Sequence, residues 1–305
     1  MEKSKQNVAI VGPKGGVGKT IIAANLAIAL SKLGKKVIVV DLDLGAANLH
    51  TTFGLTGSKY TLDDFIFNKV GNLTEIVQDT DIKNLSIICG GDVPGIANLH
   101  YQKKVKLIRN LATLESDFIL LDLGAGVSYN VIDFLIIAQN GLLVTTPDVH
   151  SLLNCYSFIK TLIFRRLTFY FKREKCFELL ELLEKAKHTE DNPHLKTMEG
   201  FLQEARRIDA ALAKGVKKIL RHFKPIVVVN RVRTVNEAKA GETILKLMRQ
   251  YLSVESSATI SIREDQAVRN TLAKLTPIML EAPEAKFCKD IKEIALALYN
   301  SKAGT

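Results

Sequence analysis

The run Gly12-Pro-Lys-Gly-Gly-Val-Gly-Lys-Thr20 joins an apolar, strand-like stretch to a helix-like one. In that context a Gly-rich turn reads as a phosphate-binding loop. Glycines let the backbone curl until successive N–H groups point at one anion. The following helix presents its positive N-terminal end to the same group. Lys19 supplies a cation for the outer phosphates of a nucleoside triphosphate, and the Thr20 hydroxyl suits Mg2+. The loop departs from the ordinary Walker A pattern, which wants Gly where Pro13 stands. It carries a second lysine, Lys14, ahead of the paired Gly15 and Gly16.

Two further segments place carboxylates at strand ends. Val37-Ile-Val-Val-Asp-Leu-Asp43 finishes with Asp41 and Asp43 two residues apart, hence on one face of an extended strand. The carboxyl ends of strands are where open α/β sheets bind ligands. Acids so placed repel a triphosphate unless a metal ion or a water lies between, so the pair suits metal and water positioning. Phe118-Ile-Leu-Leu-Asp122 repeats the design, and Leu123-Gly-Ala-Gly126 gives a loop free to respond to the outer phosphate. Val227-Val-Val-Asn230-Arg231 ends a later strand on an amide that can donate and accept together. A capping or loop role for Asn230 is the plain alternative.

These residues need a scaffold, and the chain supplies one. Val8–Val11, Val37–Val40, Leu85–Ile88, Phe118–Leu121, Leu142–Thr145 and Ile226–Val229 read as buried strands. Helices fit between them over Lys19–Leu33, closed by Gly34, and over His100–Leu114, Val131–Gln139 and Ser151–Phe164. Alternation of this kind implies βαβ crossovers, hence an α/β fold with a doubly wound, mostly parallel sheet. The stretch 165–224 breaks the rhythm. It has no strand-like run and reads as two helices, Arg165–Lys187 and Lys196–His222. It holds 15 Lys/Arg against 9 Asp/Glu, over half of the chain's net +10 in a fifth of its length. The expected organisation is an α/β domain, residues 1–164 and 225–305, with a basic helical insertion over 165–224. The basic surplus and the aromatic Phe169-Tyr-Phe171 suit an acidic protein, DNA or a membrane surface.

Composition narrows the class further. With 305 residues, 47% apolar and 24% charged, the chain is of ordinary globular make-up and long enough for a sizeable core. No apolar run approaches the roughly 18 residues that span a bilayer. The opening Met-Glu-Lys-Ser-Lys-Gln-Asn7 has no signal-peptide pattern, so a cytoplasmic protein is expected. Cys89, Cys155, Cys176 and Cys288 form no Cys-x-x-Cys pair and read as reduced thiols.

Lys14-Gly-Gly-Val-Gly-Lys-Thr20 closely resembles the deviant Walker A motif of the MinD/ParA ATPases. With Asp41, Asp43, Asp122 and Asn230 in the matching order, the resemblance covers about 240 residues, everything but the insertion and the ends. It implies ATP and Mg2+ as cofactors, and a homodimer formed on ATP. Lys14 would reach across the dimer to the partner's phosphates. Gly15, Gly16, Val17, Gly18, Lys19, Thr20 and Ile21 would hold the nucleotide. Ile21 stands where many members carry Thr or Ser, so a side-chain contact to the α-phosphate is lost. Asp43 would orient the attacking water, with Lys14 and Lys19 completing the catalytic set. Thr20, Asp41 and Asp122 would serve the metal, Asn230 would read the adenine edge, and Arg231 would pack on the base.

Asp43–His50, Asp122–Ser128 and Thr145–Ser151 are most similar to the MinD branch, leaning toward the flagellar-number regulators FlhG and FleN. That implies slow, partner-stimulated hydrolysis and a role in spatial positioning or assembly control, with a peripheral location at the membrane or cell pole. The alternative is a ParA-like ATPase whose ATP dimer binds DNA nonspecifically for partitioning. The stimulating partner is unidentified. Two traits of the flagellar regulators are not expected here. Only seven residues precede the first strand, leaving no room for an Asp-Gln-Ala-type segment that stimulates a GTPase. The stripe Phe287, Ile291, Ile294 and Leu298 near the other end reads as core packing, not as a membrane-targeting helix. Iron–sulfur carriers of this class need paired cysteines, and its tyrosine kinases end in a tyrosine cluster where Tyr299 stands alone.

Overall fold

The computed structural model describes residues 5–44, 46–91, 99–138, 140–256 and 258–300. The chain runs β1 (Gln6–Gly12), α1 (Lys19–Lys32), β2 (Val37–Leu42), then the short α2 (Leu49–Thr52) and α3 (Leu62–Ile66). β3 (Gln78–Asp79) and β4 (Leu85–Ile88) lead to α4 (Tyr101–Thr113), β5 (Phe118–Ala125), α5 (Tyr129–Ile137) and β6 (Asn140–Thr145). Four helices follow in succession: α6 (Val149–Arg173), α7 (Phe177–Lys185), α8 (Met198–Ile208) and α9 (Ala210–His222). After β7 (Ile226–Val232) come α10 (Val235–Ala238), α11 (Ala240–Leu252) and β8 (Ala258–Arg263). α12 (Gln266–Ala273), α13 (Ile278–Glu281) and α14 (Lys286–Asn300) complete the described chain.

The strands form one sheet of order β3-β4-β2-β5-β1-β6-β7-β8. All neighbours are parallel except the edge pair β3–β4. The expected doubly wound α/β sheet is what forms. Apolar residues alternate between its two faces. Val8 and Ile10 of β1 join a core with α1 and α14, while Ala9 and Val11 join a core with α4, α5, α6 and α11. A strand buried on both sides must be apolar throughout, which is why six of the strands were legible. The two others are edge strands. β3 is two residues long, and β8 is half-buried over most of its length, so neither carries an apolar run.

Gly34 takes the left-handed backbone expected of a helix-ending glycine, φ 78°. The stripe on α14 packs inward: Phe287, Ile291, Ile294 and Leu298 are all buried in the same core as α1. Among the described residues, no helix is long and apolar enough to cross a membrane. Gly45, in the Asp43–His50 segment, and Gln139, the expected end of the Val131–Gln139 helix, lie outside the described residues.

The stretch 165–224 is all helix and turn, as expected, but in more pieces: the end of α6, then α7, α8 and α9. α6 crosses Arg165 without a break because no Gly or Pro interrupts Val149–Arg173. Phe171, Leu179, Phe201 and Leu220 belong to the same buried cluster as Val227 and Val229 of β7 and Ile244 of α11. The segment therefore shares its core with one face of the sheet.

Candidate nucleotide site

The phosphate loop hangs between the end of β1 and the start of α1. Gly16 and Gly18 have φ of 74° and 97°, a region that costs L-residues with a Cβ dearly. Gly18 caps α1 with no side-chain hydrogen bond, and the first turn of the helix holds no acid. Its leading N–H groups are thus left for an anion. Gly12 lets the loop lie tight on its surroundings, since a Cβ there would stand 2.9 Å from the Val144 carbonyl oxygen of β6. Lys19 is buried and Lys14 exposed. The two lysines therefore serve different spaces, one inside the loop and one in front of it.

Register brings the acids to the loop. Asp41 of β2 pairs directly with Asp122 of β5, and both are buried. Asp41 accepts the N–H groups of Asp43 at 3.1 Å, Asn48 at 3.0 Å and Leu49 at 2.9 Å. Its oxygens therefore hold the turn after β2 in place. Burial raises its pKa to about 6, with the three N–H groups pulling the other way.

Asp122 is in the opposite condition. Neither of its buried oxygens has a hydrogen-bond partner among the described residues. Burial, then the charge of Asp41, pushes its pKa up to about 8, although a loose contact with the Thr20 hydroxyl and the charge of Lys19 oppose the rise. An orphaned buried carboxylate beside a threonine hydroxyl and a phosphate loop fits a hard divalent cation such as Mg2+.

This predicts a pH dependence. Asp122 and Asp41 have pKa values raised above the ordinary 3.8, so the folded chain holds protons that the unfolded chain has released. The stability they contribute is complete below 3.8 and lost as the pH rises to about 8. Thermal melts in chelator, without nucleotide, should fall over that window, and Asp122→Asn should flatten the fall. An unchanged slope in the variant refutes the assignment. The acids held low, Asp64 and Asp148, lose their contribution only below their ordinary value and lie outside the window.

Asp43 is half-buried. Burial raises its pKa and Lys19 lowers it. The stretch expected as a loop after Asp122 is still strand as far as Ala125, and a Cβ on Gly124, near the end of β5, would stand 2.6 Å from the Asp43 Oδ1. Gly124 is therefore the floor on which Asp43 rests, and the Gly-rich stretch after Asp122 has a second use that its sequence did not declare. Gly124→Ala should push Asp43 aside and slow turnover roughly tenfold to a hundredfold. Nucleotide affinity should be little changed; an unchanged rate of phosphate release refutes the contact.

Asn230 turns to the loop. Its Nδ2 donates to the Val17 carbonyl at 2.8 Å and its Oδ1 accepts the Arg231 N–H at 2.9 Å. A Cβ on Gly18 would stand 2.4 Å from that Nδ2. The amide expected at adenine here ties β7 to the phosphate loop. Arg231, with φ 61°, lines two spaces. One is a pocket of about 140 Å³ with Ile21, Asn230 and Val268, and the other a cleft of about 360 Å³ with Lys14, Gly15 and Asp148. Asp148 caps α6 through the Ser151 N–H at 2.9 Å. Burial works against its charge, but the Thr146 and Ser151 hydroxyls, that N–H and Lys14 hold its pKa down to about 2. Its Asp-x-x-Ser spacing announces a helix cap but says nothing of Lys14.

A family model for the CobQ/CobB/MinD/ParA nucleotide binding domain matches residues 8–278. The septum site-determining protein MinD of Helicobacter pylori is 37% identical over 147 residues, 48% of this chain and 54% of its own length. The antiactivator FleN of Pseudomonas aeruginosa is 33% identical over 159 residues, 52% of this chain and 56% of that protein. The chain thus spans about half the length of the curated relatives it matches. The MinD structure from Pyrococcus horikoshii, solved with Mg-ADP, superposes with a TM-score of 0.63 at 20% identity, over 99% of this chain and 100% of that one. At that identity the likeness is one of fold, and it agrees with the sheet and loop described above. By its phosphate loop, its sheet and this match, the chain belongs to the CobQ/CobB/MinD/ParA family of nucleotide-binding domains.

Proposed function

We propose that the chain is an ATP-driven dimerisation switch that hydrolyses ATP slowly by itself and faster with a stimulating partner. It would act in spatial positioning or assembly control, of the kind that the names of the septum site-determining and antiactivator relatives describe. One observation carries the reading. Lys14 stands exposed on the loop after β1, and at the same edge of the sheet the segments after β5, β6 and β7 present Val127, Tyr129, Val149, Leu153 and Val235, each 49% to 79% exposed. Apolar side chains gathered at one edge of a sheet mark an association surface. A second copy closing on this edge would cover them and bring its own Lys14 to the first copy's phosphates.

The proposed roles draw on this geometry. The loop N–H groups and Lys19 hold the phosphates, with Asn230 steadying the loop from behind. Thr20 and Asp122 would hold Mg2+, which would offset charge on the outer phosphates. Asp41, its oxygens engaged by the turn, keeps Asp43 where it can orient a water for attack on the terminal phosphate. The test is light scattering with ATP and with ADP. A dimer with ATP alone supports the switch; a monomer with ATP, or the same dimer with both nucleotides, overturns it.

A further inference from the structure

The charge of the 165–224 segment is unevenly spread. Residues 165–174 and 209–224 hold nine Lys/Arg against two acids, while residues 175–208 hold six against seven. The whole surplus therefore sits on the end of α6 and on α9. These helices pack antiparallel, as the contacts of Tyr170 with Gly215 and of Arg166 with Phe223 show. Between them opens a groove of about 630 Å³. Ile136, Tyr170 and Ile219 line it together with Arg166, Arg173 and Lys218, against one acid, Glu174.

The groove is built, not incidental. Glycine weakens a helix interior, yet Gly215 sits in the middle of α9. A Cβ there would lie 1.9 Å from the Tyr170 hydroxyl oxygen, so the glycine lets the tyrosine lie across α9. Arg166 is half-buried, and among the described residues neither it nor Lys218 has a carboxylate in ion-pair reach. Its guanidinium lies over the Phe223 ring at 5.5 Å, and burial lowers its pKa. Among the described residues Arg173 pairs only with its exposed neighbour Glu174.

The chemistry selects among anionic partners. Single-stranded nucleic acid gains from open aromatic faces on which bases stack. Here Arg165 lies on Phe169 at 4.3 Å and Arg173 on Tyr170 at 5.5 Å. A bilayer surface is flat and does not reach a recessed floor. We propose that this groove docks an acidic peptide segment of a partner protein. Its carboxylates would meet Arg166, Arg173 and Lys218, and an apolar side chain would seat on Ile136, Tyr170 and Ile219. The occupant would touch α5, the helix that follows β5 and is tied to α6 by the Asp133–Arg165 ion pair at 3.1 Å. α9 ends, and β7 begins, at the sheet edge opposite the phosphate loop. Docking is therefore expected without nucleotide, and stands apart from the ATP dimer.

The test is fluorescence anisotropy with a short labelled peptide of Glu and Asp around a central Leu-Phe pair, on nucleotide-free protein. Oligothymidylate and phosphatidylglycerol vesicles serve as competitors. The peptide should bind and both competitors should displace it poorly. Arg173→Glu with Lys218→Glu, two exposed positions, should weaken it about tenfold with an unchanged melting temperature. Failure of the peptide to bind, tighter binding of either competitor, or full binding by the double variant overturns the proposal.

Discussion

Asp43→Asn is expected to bind ATP with near-normal affinity, form the ATP dimer, and release phosphate roughly 10²–10⁴-fold more slowly. The size of the effect rests on where Asp43 stands. It is half-buried, near enough to Lys19 to feel its charge, and seated on Gly124. Asparagine keeps the shape and the seat but accepts a proton poorly, so the loss falls on the chemical step. Asp41→Ala makes the contrast. Removing its carboxylate leaves three N–H groups of the turn without their acceptor, that of Leu49 buried, which costs roughly 1–3 kcal/mol of stability. The two acids therefore separate by readout: Asp43→Asn lowers turnover at constant melting temperature, and Asp41→Ala lowers the melting temperature. Normal turnover in Asp43→Asn would move the water-positioning role elsewhere.

Much of this site could be read from the chain because phosphate chemistry leaves few choices. A loop that curls backbone around an anion needs glycines, and Gly16 and Gly18 do sit in the left-handed region. A strand buried on both faces is apolar along its length, so the acids Asp41 and Asp122 stand out near the ends of theirs. What stayed hidden depends on contacts between distant parts of the chain. Asn230 reaches the Val17 carbonyl across 213 residues, and no local pattern foretells that. Asp41 and Asp122 have the same sequence surroundings, yet one accepts three N–H groups and the other none among the described residues. That difference comes from the turn after β2, a structure the strand pattern does not address. The segment from Arg165 to Lys224 hid its packing for a related reason. An amphipathic helix declares that it has a buried face but not what covers it, and here the cover is α11 and the sheet itself. The edge strand β8 was missed because half-burial relaxes the demand for apolar residues.

Lys14→Ala is expected to leave nucleotide binding almost intact and to abolish ATP-dependent dimerisation. Lys19 shows why the two lysines part. Lys19 is buried at the head of α1, where a cation has a duty within its own loop. Lys14 is exposed, and its one charge partner of note, Asp148, is held by the Thr146 and Ser151 hydroxyls whether or not Lys14 is present. Removing Lys14 therefore breaks little within one chain. What it removes is an exposed cation on the loop after β1, at the sheet edge where the segments after β5, β6 and β7 present the exposed Val127, Val149, Leu153 and Val235. Closing two such surfaces over two triphosphates gathers negative charge in a space from which water is being excluded, where an unbalanced charge is most costly. A lysine from each copy offsets it, and without that pair the apolar contacts face uncompensated repulsion. Equilibrium binding of a fluorescent ATP analogue and light scattering measure the two properties separately. A dimer of normal strength in Lys14→Ala would show that Lys14 does not act across the interface, and weakened nucleotide binding in the monomer would show that it acts within its own loop.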